Sequence, residues 1–157
     1  LERLQALFGK LGGNIIVAKT AIGGKKRTFL AELKAKAKEG IVFKDLRANW
    51  AAGRPASGGS AIKCKFWASC SCVVSKVNAR RSIAIALSGK SVGNVTIPPN
   101  HAIPAKGQVV EIRYLYVAGV GGSLYQPVYL GLRDDVKAVE CTVERQKLKL
   151  KSVEDQA

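Results

Sequence analysis

Apolar positions recur at helical spacing only near the start of the chain and then give way to alternation. Leu1, Leu4, Leu7, Phe8 and Leu11 share one helical face, and Gly12-Gly13 ends the run. Residues 14–22 read as a strand stopped by Gly23-Gly24. Phe29, Leu30, Leu33 and Ala37 predict a second helix over 29–38, followed by a short buried strand at 41–44. Gly53, Pro55, Gly58 and Gly59 mark a loop over 49–60. Beyond Ala61 the pattern predicts no helix. Strands are expected at 61–76, 82–88, 92–97, 108–117 and 124–130, with glycine, proline and asparagine between them. The chain therefore reads as α+β, a helix–strand–helix–strand segment followed by a small antiparallel barrel.

Charge sharpens this picture. Lys plus Arg number 26 against 11 acidic residues in 157, a net charge of +15. Both parts of the chain share the excess, so both can face one polyanion, and release of its counterions would drive binding. Nucleic acid is the expected partner. The basic run from Arg145 to Lys151 reads as a strand facing nucleic acid or as a solvated tail. No apolar run of ~18 residues suggests a membrane helix, and no signal peptide is visible. The chain starts at Leu1 and holds no methionine, as a fragment or processed form would. Cys64, Cys70, Cys72 and Cys141 fit no common zinc spacing. Strand parity puts the first three on a core face as small apolar residues, reduced in a cytosolic protein.

The chemistry concentrates in two short strands. In Glu39-Gly40-Ile41-Val42-Phe43-Lys44 an acid, a glycine and an apolar strand lead to a lysine. In Ile62-Lys63-Cys64-Lys65-Phe66 two lysines stand two apart, so both ammonium groups aim to one side, about 7 Å apart along the strand. Paired cations near a carboxylate suit a phosphate and a hard metal ion. A bland alternative is an edge strand with protective lysines. Lys76, Arg80, Arg81 and Lys90 surround a predicted hairpin and are candidate phosphate contacts, or a solvated turn. Gly89-Lys90-Ser91 lacks the earlier glycine of a P-loop, because residue 84 is Ala84. His101 is the sole histidine and reads as a loop residue.

The order and spacing of these strands resemble the covalent nucleotidyltransferases, above all bacterial ATP-dependent DNA ligases. The Glu39–Lys44 strand resembles their motif IV, and Lys63-x-Lys65 resembles motif V. Val109–Tyr114 and Tyr125–Asp135 resemble the last strands of an OB-fold and a motif VI-like Arg133-x-Asp135. Val136 stands where many relatives have lysine, and Lys137 comes one place late. The resemblance implies residues 1–66 as the C-terminal portion of an adenylation domain and residues 67–157 as an OB-fold β-barrel with a basic tail. It implies catalytic roles for Lys63, Lys65 and Glu39, nucleotide contacts from Lys44, Lys63, Lys65 and Arg133, and a metal contact from Glu39. ATP as AMP donor, Mg²⁺, nicked duplex DNA as partner, a monomer and a bacterial cytoplasmic location are implied with it. The activity implied is nick sealing through enzyme-AMP and DNA-adenylate intermediates. The nucleophilic Lys-x-Asp-Gly of that family is absent, and Lys19-Thr20-Ala21-Ile22-Gly23 lacks its acid. Self-adenylylation is therefore not expected of this chain alone. A non-catalytic OB-fold nucleic-acid module and an RNA ligase or capping-type enzyme are the alternatives.

Overall fold

The computed structural model describes residues 6–8, 18–49, 52–53, 59–119 and 121–151. The chain forms two compact units, residues 1–32 and 33–157.

In the first unit a helical turn covers Ala6–Phe8, and most of the predicted first helix lies outside the described residues. The predicted strand at 14–22 is not formed where it is described, because residues 18–22 join no ladder. Lys19 Nζ instead donates to Glu32 Oε1 at 2.7 Å and lies 5.4 Å from the Phe29 ring. Gly23–Lys25 makes a 3₁₀ turn into helix α1, Lys26–Ala35, which crosses into the second unit. The helix starts and ends three residues earlier than its apolar pattern predicts. Its end is set by backbone geometry: Lys38 N donates to Leu33 O and Ala37 N to Lys34 O. This is a Schellman closure, with Ala37 at φ +51 where glycine is usual.

The second unit holds two antiparallel sheets. Strands β1 (Gly40–Lys44) and β2 (Ala61–Lys65) pair as a two-stranded ladder. Strands β3 (Ala68–Asn78), β4 (Ser82–Leu87), β5 (Lys90–Thr96), β6 (Val109–Tyr114) and β7 (Val128–Leu132) pair in the order β5-β4-β3-β6-β7. Three hairpin-linked strands with the fourth returning beside the first make a Greek key. The predicted single strand at 61–76 breaks at Phe66-Trp67, and its halves join different sheets. No ladder joins β5 to β7 among the described residues, so the sheet is open where a closed OB-fold barrel is expected. The segment between β6 and β7 takes up part of that edge, since Leu124 N donates to Val92 O at 2.8 Å.

Alternation builds the core. Cys70, Cys72 and Val74 from β3 meet Ile83, Ile85 and Leu87 from β4 and Val110, Ile112 and Tyr114 from β6. Cys64 is the exception to the predicted parity: it lies before the break, on the hairpin, and is exposed. Cys70 and Cys72 bring their sulfurs within 3.6 Å, and this contact, then burial, pushes the Cys72 thiol far up. The glycine before Lys90 and the lone histidine both have structural roles. Ser88 (φ +48) and Gly89 (φ +73) form the two-residue turn between β4 and β5, as a type I′ hairpin requires. His101 rests edge-on against Tyr129, with ring centroids 5.2 Å apart.

Two short helical elements follow β7 where none is expected, a 3₁₀ turn at Ala138–Glu140 and helix α2, Val143–Gln146. Thr142 caps α2 by accepting from Arg145 N at 3.3 Å. The basic run packs back on the sheet rather than trailing as a solvated tail over its described residues. Leu150 bridges Val117 in parallel, and Tyr114 Oη accepts from Lys149 N at 3.0 Å.

Candidate functional site

The β1–β2 register decides which side chains act together. Gly40 faces Lys65, Val42 faces Lys63, and Lys44 faces Ala61. Directly opposed residues share a face, so Lys44, Lys63 and Lys65 lie on one side of the ladder. Ile41, Phe43, Ile62 and Cys64 share the other. Gly40 is needed for this pairing: a Cβ there would lie 2.4 Å from Cys64 O and 2.9 Å from Lys65 Cα. A shallow hollow of about 460 Å³ opens at the far end of the hairpin, lined by Phe43, Lys44, Asp45, Gly59, Ser60 and Ile62. Lys44 and Lys63 are exposed. Lys65 is half-buried, donates to Gln126 Oε1 at 2.6 Å and sits 5.2 Å from the Trp67 ring centroid.

Glu39 sits just before β1, exposed, and its carbonyl accepts from Phe66 N at 2.8 Å. Its charge is felt by Lys149. That ammonium donates to Phe66 O at 2.7 Å and to Lys38 O at 3.1 Å, pinning the two chain segments that enter and leave the hairpin. Burial holds the Lys149 pKa below the usual lysine value, and the Glu39 charge partly offsets the shift.

Arg133 and Asp135 come together, but with each other. Arg133 Nε and Nη2 donate to the two Asp135 oxygens at 2.7 and 2.8 Å, and Nη1 donates to Glu111 Oε2 at 2.9 Å. This pairing raises the guanidinium pKa and lowers that of Asp135. Glu111 also accepts from Ser71 Oγ at 2.8 Å. A hollow of about 580 Å³ over these groups is also lined by Glu140, Arg145 and Gln146.

The remaining predicted contacts lie along the β3–β4–β5 hairpins. Lys76, Arg80 and Lys90 are exposed. Arg80 and Arg81 both take φ +54 in the β3–β4 turn. The Arg81 guanidinium points inward, donating to the carbonyls of Ile97 at 3.3 Å, Pro98 at 2.9 Å and His101. It anchors the loop after β5. Lys76 pairs across to Ala84, whose neighbour on β5 is Asn94, and Asn78 donates to Asn94 Oδ1 at 2.9 Å. The outer face there is low and polar.

Sequence reasoning did not single out Trp67, Arg113 or Gln126. Arg113 had a signal, since strand alternation in Val109–Tyr114 turns it outward with Glu111. Lys149 was noticed only as part of the basic run, with nothing to point it at the hairpin.

Lysines fit phosphate oxygens as point charges, and three on one face suit the phosphates of a nucleotide or nucleic acid. The donor set for a metal is poorer. Among the described residues no three His, Cys, Asp or Glu side chains cluster. Magnesium takes one or two carboxylates with phosphates and waters, so Glu39 would hold it only together with phosphate oxygens of a bound nucleotide.

No protein-family model matches the sequence, and no curated protein is similar to it. Solved structures are similar. A Lig E DNA ligase, from work on DNA binding with a minimal scaffold, aligns with TM-score 0.58 at 17% identity, over 74% of this chain and 49% of that one. The ligase domain of M. tuberculosis LigD gives TM-score 0.44 at 19% identity, over 79% and 52%. Mycobacterial DNA ligase D complexed with ATP and MES gives 0.40 at 20% identity, over 72% and 49%. The chain thus spans about half the length of these structures, and with the Lig E ligase it shares the fold of that half.

Proposed function

We propose that this chain is the C-terminal half of an ATP-dependent DNA ligase, with residues 1–66 ending the adenylation domain and residues 67–157 forming the OB-type domain. One observation carries the reading. Lys44, Lys63 and Lys65 share a face of a hairpin that runs directly into a Greek-key sheet. That arrangement sits in a fold shared with a DNA ligase. In this reading the three lysines hold phosphate oxygens of ATP, the AMP donor, as charge develops on them. The basic surface, including exposed Lys76, Arg80 and Lys90, grips nicked duplex DNA. The nucleophilic lysine comes from elsewhere, and Arg133 must leave Asp135 and Glu111 to reach a nucleotide.

That last requirement favours a second reading. Arg133 is already paired with two carboxylates, and Lys65 is held by Gln126 and Trp67. Both suit a nucleic-acid-binding module without catalysis. Binding of the purified chain to nicked duplex, intact duplex and single strands across a salt series separates the two. A nick preference that Lys63→Ala reduces supports the ligase. Equal affinity for all three, unchanged by Lys63→Ala, supports the module.

A further inference from the structure

Two cations from different sheets share one indole ring where the sheets meet. Lys65 Nζ ends β2 and lies 5.2 Å from the Trp67 ring centroid, and Arg113 Cζ on β6 lies 4.8 Å from it. Trp67 remains 36% exposed. The other contact of Lys65 is a neutral amide oxygen, that of Gln126. Among the described residues neither cation pairs with a carboxylate. Arg113 Nε is buried with no acceptor. Arg133 offers the contrast: it lies just beyond the neighbouring strand β7 and is satisfied by both Glu111 and Asp135.

Two cations around one partly buried ring are costly without a counter-charge, and a buried N–H without an acceptor adds to that cost. An anion with several oxygens relieves both. The guanidinium fork matches two phosphate oxygens, the ammonium adds a point charge, and the indole offers a surface for a base or sugar next to the phosphate. Ser69, exposed and paired with Arg113 on the same face, places a hydroxyl beside them.

We propose that Lys65, Trp67 and Arg113 form a binding site for a backbone phosphate of a polynucleotide. The choice of polymer rests on the nucleic-acid reading above, but the site requires no ligase chemistry.

The test uses the full chain with Trp50→Phe, which leaves Trp67 as the only tryptophan of the two present. Its emission is followed during titration with nicked duplex DNA, intact duplex DNA, a single-stranded oligonucleotide, ATP and inorganic phosphate. All three polynucleotides are expected to change the emission at far lower concentrations than ATP, whose phosphates reach Lys65 alone, or inorganic phosphate. Arg113→Gln is expected to weaken binding about 5–10-fold and to lower the salt slope by about one contact's worth, roughly 0.7–0.9. Lys65→Gln, on the exposed hairpin, gives the same test if Arg113→Gln fails to fold. An equal response to ATP or phosphate keeps the anion site and makes a free nucleotide or phosphate its source. DNA binding with silent Trp67 emission and an unchanged slope in both variants overturns the site. A response that ignores the nick counts against the ligase reading and leaves this site standing.

Discussion

In the five-stranded sheet, Ile83, Ile85, Leu87, Val110 and Ile112 are closed off from solvent, whereas in the β1–β2 hairpin Val42, Phe43 and Ile62 remain 49%, 42% and 54% exposed. Both regions are antiparallel and similarly rich in β-branched residues. The difference is that the larger sheet buries its inner face on itself and on the Leu115–Leu124 segment, while the hairpin has only two strands. A two-stranded ladder is marginal in water. Part of its order is borrowed, through the Lys149 pin. The lysines with the most chemical promise therefore stand on the part of the second unit with the least cohesion of its own, as mobile functional elements often do.

The comparison can be broken most strongly in the core. Ile85→Ala should cost about 3 kcal/mol, as large-to-small changes at sealed sites do, while Ile62→Ala should cost less than about 1 kcal/mol. Urea unfolding of the two variants measures the gap, and equal losses would mean the hairpin is as well packed as the sheet. Gly40→Ala comes next, at about 2 kcal/mol of overpacking. Hydrogen exchange should show β1 and β2 amides losing protection while β3–β6 keep theirs.

Lys149→Met removes two charge-assisted hydrogen bonds and should cost about 1.5 kcal/mol near neutral pH. Its pH dependence has a definite sign. The folded pKa lies below the unfolded one, so the folded state binds fewer protons between them. Stability from this group rises as pH climbs through that window toward the ordinary lysine value and is lost as pH falls through the folded pKa. Burial raises the Tyr114 pKa, which works in the opposite direction in alkali, so the wild type minus Lys149→Met difference isolates the lysine. A difference that is flat with pH would count against the pin. The smallest effect is a gain: Ala37→Gly relieves a left-handed backbone at φ +51 and should add about 0.5–1 kcal/mol in thermal unfolding.

Much of the larger sheet was legible from alternation, since β4, β5 and β6 fall within a residue or two of their predicted spans, apart from the last three residues predicted for β6. The final strand shifts to Val128–Leu132 because Gln126 takes φ +52, bending the chain where the sequence looks continuous. The helical elements after β7 are too short to show a period, although Thr142 is a legible cap. The lysine face of the hairpin followed from the spacing of Lys63 and Lys65, and only the register added Lys44 to it. Other features were invisible for a physical reason: they depend on contacts between distant residues. Arg81 looks like a surface cation until three carbonyls beyond β5 are placed around it. Arg133 looks available until Glu111, 22 residues away, takes one of its nitrogens.

The Lys149 pin also fixes a timetable for synthesis. The carbonyl of Lys38 leaves the ribosome 111 residues before the ammonium that secures it. At roughly 5–20 residues per second that is a delay of roughly 5–20 s. During the interval the hairpin emerges with its apolar face open and nothing from the C-terminus to hold it. A cell would have to shield that face, or tolerate its exposure, until the last strand-forming residues arrive.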